Sequence, residues 1–217
     1  MPSDSLNAQT QATLAEFLAA LPALQQKVVA DAFSQLLASQ VAATAKRTGD
    51  PAPDFTLPNV GGRTLRLQEA CAKGPVVLSF YRGSWCPFCN LELNALQQRL
   101  PDLRRLGARL IAVSPENPDA SLSHAQKLQL EFDVLSDIGN GVAGEYGLIM
   151  TVDPALRPLY RDWGIALPSA NGDETYQLPV PATYVIDCSG VIRAHFVDKD
   201  YTRRMEPDAI IEALESL

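Results

Sequence analysis

The apolar positions of this chain follow two different rhythms. Over residues 10–46, Leu14, Leu18, Leu21, Val28, Ala32, Leu36 and Leu37 recur at helical spacing and give one broad apolar face. Pro22 interrupts that stretch, because a proline inside a helix removes a hydrogen bond and clashes with the preceding turn, so it bends the helix or separates two. An apolar helical face needs a cover, supplied either by the rest of the chain or by a second copy. A homodimer contact through these helices is the expectation, although one sequence does not distinguish the two. Thr48-Gly49-Asp50-Pro51-Ala52-Pro53-Asp54 then breaks helix and opens the second part.

From Phe55 onward the apolar runs are short and separated by turn residues. Phe55-Thr56-Leu57 reads as a short strand, Asn59-Val60-Gly61-Gly62 as a turn, and Leu67–Ala72 as a short helix. Val76-Val77-Leu78-Ser79-Phe80-Tyr81 is a β-branched and aromatic-rich strand. A helix follows it, with Leu91, Ala95, Leu96 and Leu100 at helical spacing, and Pro101 is expected to kink or divide that helix. Ala108–Ser114 is mostly apolar rather than alternating, the pattern of a strand covered on both faces. Asn117-Pro118 offers an N-cap and first position for a helix reaching about Gln129. Phe132–Leu135 is another short strand, and residues 141–146 a small helix. Thr183–Ile186 and Val191–Val197 flank a turn as an antiparallel hairpin, and Pro207 opens a last helix through Leu214. Residues 154–180, rich in proline and polar residues, read either as an excursion at the rim of a site or as a surface loop. Strands alternating with helices imply an α/β layer arrangement with at least one parallel pair.

Composition narrows the setting. A chain of 217 residues supports one substantial core with an appendage, and 47% hydrophobic against 20% charged residues fits an ordered soluble protein. The formal net charge of -7 gives no support for binding nucleic acid or an anionic membrane. No run approaches a membrane span, and Met1-Pro2-Ser3-Asp4 lacks the basic and apolar regions of an export signal, so a cytoplasmic location is expected. Four scattered cysteines are too few for a disulfide-scaffolded secreted domain.

The candidate chemistry lies in Trp85-Cys86-Pro87-Phe88-Cys89, two thiols three positions apart where the strand at 76–81 gives way to a helix. Free N–H groups and the positive dipole end of a helix N-terminus favour an anion, so one thiol can ionise near neutral pH. Pro87 suits the first helical turn, and Trp85 packs beside the pair to limit solvent access. An exposed Cys86 attacks a substrate sulfur, and Cys89, one turn on, resolves the mixed disulfide. The alternatives are an inert buried pair or half of a zinc site. The zinc reading lacks a second ligand pair, since Cys71 and Cys188 are single and His124 and His195 are the two histidines. Cys71 reads as a core residue, Cys188 as a turn residue, His195 as structural, and Glu116 as a solvated carboxylate rather than a proton acceptor for the thiols. Gly61-Gly62 and Gly139-Asn140-Gly141 lack nucleotide-binding spacing. No flavin, nicotinamide or metal cofactor is expected.

Three stretches carry a family resemblance: 49–58 (GDPAPDFTLP), 80–89 (FYRGSWCPFC) and 184–193 (YVIDCSGVIR). Together they resemble the thioredoxin superfamily, and within it the alkyl hydroperoxide reductase/thiol-specific antioxidant (peroxiredoxin-like) family, over residues 48–217. Residues 1–47 are left as an N-terminal helical extension. The resemblance implies a three-layer thioredoxin-like α/β fold. The family's pattern of proline, three residues, threonine or serine, two residues and the peroxide-attacking cysteine falls on Arg82, Cys86 and Cys89. That register puts the attacking position at Cys89 with Cys86 resolving, and replaces both the proline and the hydroxyl. A further family arginine falls at about Pro181, so Arg82 is either a substitute cation or a strand-end residue with a solvated head group. Pro181 resembles instead the cis-proline that faces the cysteine pair in thioredoxins, with the Val180 carbonyl open to an extended substrate; a trans turn proline is the alternative. The leading activity implied is reduction of hydrogen peroxide or organic hydroperoxides, with recycling by a thioredoxin-like or small-thiol reductant. Thiol–disulfide exchange on protein disulfides, with Cys86 attacking, is the alternative, and a noncatalytic interaction protein of the same fold is the third.

Overall fold

A computed structural model describes residues 5–59, 61–118, 121, 125–126 and 128–217. Two helices come first, α1 (Leu6–Ala20) and α2 (Ala23–Ala38), and Pro22 is the N-cap that separates them. The hairpin β1 (Thr56–Pro58) and β2 (Thr64–Arg66) leads through α3 (Leu67–Cys71) to β3 (Val76–Phe80). Then come α4 (Pro87–Arg105), β4 (Arg109–Ser114), β5 (Asp133–Ser136), α5 (Gly141–Glu145) and β6 (Ile149–Thr151). The chain continues with α6 (Arg157–Asp162), α7 (Leu167–Asn171), β7 (Gln177–Pro179), β8 (Ala182–Ile186), β9 (Ile192–Val197) and α8 (Pro207–Glu215). The expected helix after Asn117-Pro118 falls partly outside the described residues.

The central sheet has the order β5-β4-β3-β8-β9, with β3, β4 and β5 mutually parallel and β8 antiparallel to both β3 and β9. Its middle strand β3 is buried along its whole length, and alternate residues feed opposite layers. Val76, Leu78 and Phe80 pack with Leu67, Ala143 and Tyr146, whereas Val77 joins Leu96, Leu100, Ile210 and Leu214 from α4 and α8. This is the three-layer thioredoxin-like α/β fold.

Helix α4 runs through Pro101 without dividing. An internal proline costs about 3 kcal/mol, but Leu93, Leu96, Leu100 and Leu103 on both sides of it are buried in the core, and that continuous apolar stripe keeps the helix on the sheet. The N-terminal helices fold back on the body of the chain, where Leu14, Leu18, Val28 and Leu36 are half-buried while Leu24 and Leu37 stay exposed. The backbone N–H groups of Leu6 and Asn7 each donate to the Glu206 carboxylate at 2.9 Å. Gln11 Nε2 donates to Thr202 Oγ1 at 3.0 Å, and Lys199 Nζ to the Ser39 carbonyl at 2.8 Å. A carboxylate at the start of α1 and an ammonium at the end of α2 also match the two helix dipoles.

The linker after α2 presses on the body at Gly147, whose φ is +71° and whose hypothetical Cβ would lie 2.5 Å from the Thr44 carbonyl oxygen. Gly147→Ala is therefore expected to destabilise the protein by at least about 1–3 kcal/mol from the left-handed backbone alone. Urea denaturation checks this; a loss below about 0.5 kcal/mol, the scatter of neutral surface changes, contradicts it.

Candidate active site

Strand β3 ends at Phe80, and the next residues turn sharply enough to bring Cys86 to the head of α4. Gly83 makes the turn possible, with φ +147° and no room for a side chain: a Cβ there would meet Trp85 Nε1 at 2.4 Å. Glu116, just past β4, braces the turn by accepting from Ser84 N at 2.8 Å and Ser84 Oγ at 2.7 Å. This carboxylate is 1% exposed, and burial pushes its pKa up, so it is a buried brace and not the solvated group expected from the sequence.

Cys86 is the N-cap of α4, with Pro87 in the first turn as expected; its Sγ accepts from the Cys89 N–H at 3.4 Å. Both cysteines are fully buried and free, which corrects the expectation of an exposed Cys86. The cover is aromatic. Trp85 meets Tyr160 edge-on at 5.5 Å, and Tyr160 lies 5.7 Å from Trp163, so the 154–180 excursion does reach the site. Among the described residues, the head group of Arg82 is also sealed in, at 2% exposure. Its Nη2 donates to Cys86 Sγ at 3.1 Å, and its guanidinium carbon sits 4.0 Å from the Tyr201 ring centroid. The solvated reading of Arg82 is corrected: the side chain is buried against the Cys86 sulfur. Its Nε and the Trp85 Nε1 are buried N–H donors without a hydrogen-bond partner among the described residues.

Cys89 faces a second buried cation, Arg204, whose Nη2 donates to its Sγ at 3.4 Å. Arg204 is held by Glu92 in an ion pair with both side chains 2% exposed, and Glu92 also accepts from Thr183 Oγ1 at 3.2 Å. Sequence reasoning missed Arg204, Glu92, Tyr160 and Tyr201. One signal was present: Glu92 lies three residues after Cys89 and four before Leu96, on the apolar stripe of α4, where a carboxylate requires a buried cation.

These surroundings separate the two thiols. Burial alone would raise the Cys86 pKa, but the hydrogen bond from Cys89 and the Arg82 and Arg204 cations bring it down to about 5. Cys89 is pushed well above the usual thiol range by burial, by that same hydrogen bond and by the charge on Cys86. The pair at neutral pH is thus a Cys86 thiolate receiving a hydrogen bond from a Cys89 thiol.

Pro181 is buried at the head of β8, where Ala182 pairs with Phe80, so it lies beside the start of the cysteine loop. The expected cis bond is corrected: no cis peptide occurs among the described residues. The Val180 N–H donates to the Leu148 carbonyl at 2.7 Å and β7 is paired with β6, so the chain enters β8 already extended and no tight turn is needed. Cys71 is a core residue and Cys188 an exposed turn residue, while His195 Nδ1 lies 2.9 Å from Thr48 Oγ1 in a structural contact.

A model of the AhpC/TSA family matches residues 48–195. Chloroplastic peroxiredoxin Q of Populus jackii is 28% identical over 169 residues, covering 78% of this chain and 68% of that protein. That of Gentiana triflora is 27% identical over 164 residues, covering 76% of this chain and 63% of its own length. The chain therefore spans about two thirds of these plant relatives. Among solved structures, peroxidoxin BcpB from Mycobacterium tuberculosis superposes with a TM-score of 0.62 at 21% identity, covering 79% of this chain and 97% of that one. The reduced 2-Cys peroxiredoxin of Plasmodium vivax gives a TM-score of 0.61 at 18% identity, covering 78% and 81%. The N-terminal helices and Arg204 lie outside the segment matched by the family model.

Ultraviolet thiolate absorbance of the reduced protein is expected to titrate with a midpoint of about 5. Cys86→Ser removes that transition, and Arg82→Met moves it upward, because the anion loses its nearest cation. A midpoint in the ordinary thiol range for the unaltered protein contradicts the assignment. Arg204→Met leaves Glu92 buried and unpaired, a change that costs roughly 3–5 kcal/mol; adding Glu92→Met is expected to recover part of that loss in chemical denaturation.

Proposed function

The chain belongs to the AhpC/TSA family, and on that premise we propose that it is a thiol-dependent peroxidase in which Cys86 is the nucleophile and Cys89 the resolving thiol. The observation that carries this reading is a thiolate–guanidinium pair, Cys86 with Arg82, sealed beneath Trp85, Tyr160 and Tyr201. A small oxidant reaches such a sulfur far more readily than a folded protein disulfide does.

The chemistry follows from the charges. The Cys86 thiolate attacks the terminal oxygen of a hydroperoxide; an S–O bond forms and the O–O bond breaks. The Arg82 guanidinium, which donates to Cys86 Sγ, stabilises the negative charge that moves onto the leaving oxygen, which takes a proton from solvent and departs as water or an alcohol. Cys86 is now a sulfenic acid. Cys89, protonated in the resting state, attacks the Cys86 sulfur as its proton is taken up by the departing hydroxyl, giving water and an intramolecular disulfide. A thioredoxin-like protein or a small thiol supplies the two electrons that restore the dithiol.

This assignment inverts the register of the family pattern, which sets the attacking position at Cys89. The reason is local: Arg82 lies directly on Cys86, whereas the cation nearest Cys89 is already neutralised by Glu92. A thiolate at the first position of a Cys-x-x-Cys pair also favours thiol–disulfide exchange, so the two activities are tested side by side. Stopped-flow mixing of reduced protein with hydrogen peroxide is expected to show rapid oxidation that Cys86→Ser abolishes. Cys89→Ser is expected to stop at a trappable sulfenic acid on Cys86. Trapping at Cys89 instead restores the family register, and peroxide inertness combined with fast insulin reduction identifies the protein as an exchange enzyme.

A further inference from the structure

The N-terminal extension does more than cap the fold. Phe17 of α1 meets Trp163 edge-on at 5.2 Å and 82°, and Phe33 of α2 meets Tyr201 at 5.3 Å and 79°. Phe17 and Val29 line a cavity of about 80 Å³ with Phe88, Trp163, Ile165 and Tyr201. Its single charged lining residue is Arg82, the cation on Cys86, and Trp85 completes the wall. Arg82 Nε, without a hydrogen-bond partner among the described residues, belongs to a residue of this cavity. One water needs roughly 10–15 Å³ of such space, so the volume suits a group of about ring size. A peroxide has oxygens that accept from the Arg82 guanidinium, but hydrogen peroxide leaves the apolar walls without a ligand.

We propose that α1 and α2 are a substrate-selecting element: Phe17 and Val29 hold the apolar, ring-sized carbon substituent of a hydroperoxide while its O–O group is received by Arg82, the cation that touches the Cys86 sulfur. This rests on the peroxidase reading and adds to it the residues that choose the substrate, which lie outside the segment matched by the family model. The selection works in the usual way for an apolar pocket, by burying carbon that a smaller competitor lacks, and such differences amount to about tenfold or more in kcat/KM.

The two tryptophans of the chain, Trp85 and Trp163, both line the cavity, so intrinsic fluorescence reports its occupancy. The unaltered reduced protein is titrated with 2-phenylpropan-2-ol, the alcohol left by cumene hydroperoxide, which is itself no oxidant. Oxidation by cumene hydroperoxide and by hydrogen peroxide is then compared for the unaltered protein, for Val29→Phe, which fills the cavity, and for Leu24→Ala, an exposed position of the same helix. The expected result is a saturable fluorescence change and a cumene-to-hydrogen-peroxide ratio of rate constants that falls about tenfold in Val29→Phe and is unmoved in Leu24→Ala. A ratio unmoved by Val29→Phe, or no fluorescence response to the alcohol, overturns the selecting role while leaving peroxidase activity standing. Binding of the alcohol with neither hydroperoxide oxidising Cys86 overturns the peroxidase reading itself, and the hydroperoxide assignment with it.

Discussion

A sulfur anion in a protein interior survives only where cations and N–H donors replace the water it has lost, and the Arg82–Cys86 contact meets that demand here. Much of the surrounding architecture serves to bring those two groups together. Strand β3 ends just before Arg82, the turn braced by Glu116 delivers Cys86 to the head of α4, and the helix adds the Cys89 amide beneath the sulfur. Electrostatic asymmetry completes the arrangement. Each sulfur has its own guanidinium, but Glu92 neutralises the one on Cys89, so negative charge settles on Cys86.

The fold was legible because each element carried its own period. The continuous run at Val76–Phe80 announced a central strand, and the Asp187–Gly190 turn between two β-branched runs announced the β8–β9 hairpin. Pro22 and Pro87 stand at helix starts as expected, and Pro101 does not divide α4, because the propensity of one residue yields to a stripe of buried leucines. The Cys86–Cys89 pair was visible from its place after β3, whereas Arg82 entered as a candidate only through the register of the family pattern. The rest of the site was hidden because it arrives from far along the chain: Arg204 follows Cys89 by 115 residues, and Tyr201 comes from the same distant segment. Nothing in local spacing specifies such a meeting. Exposure was misjudged for the same reason, since the rings that bury Cys86 belong to elements with weak periodicity.

Residues 198–206 tie these parts together. This short stretch carries Lys199, which receives the end of α2; Tyr201, which lies on Arg82; Arg204, which faces Cys89; and Glu206, which holds the start of α1. The extension and the reactive sulfurs therefore share one stretch of backbone, and order in one supports order in the other.

Oxidation removes the charge around which this interior is built. Once Cys86 enters a disulfide its sulfur no longer carries the anion, and Arg82 remains desolvated with aromatic faces in place of a counter-charge. Free energy that favours the thiolate is lost on oxidation, so the reduction potential of the couple shifts upward, as it does whenever a reduced form is selectively stabilised. In the proposed cycle, the stabilisation that ionises Cys86 thereby also makes its disulfide the readier electron acceptor.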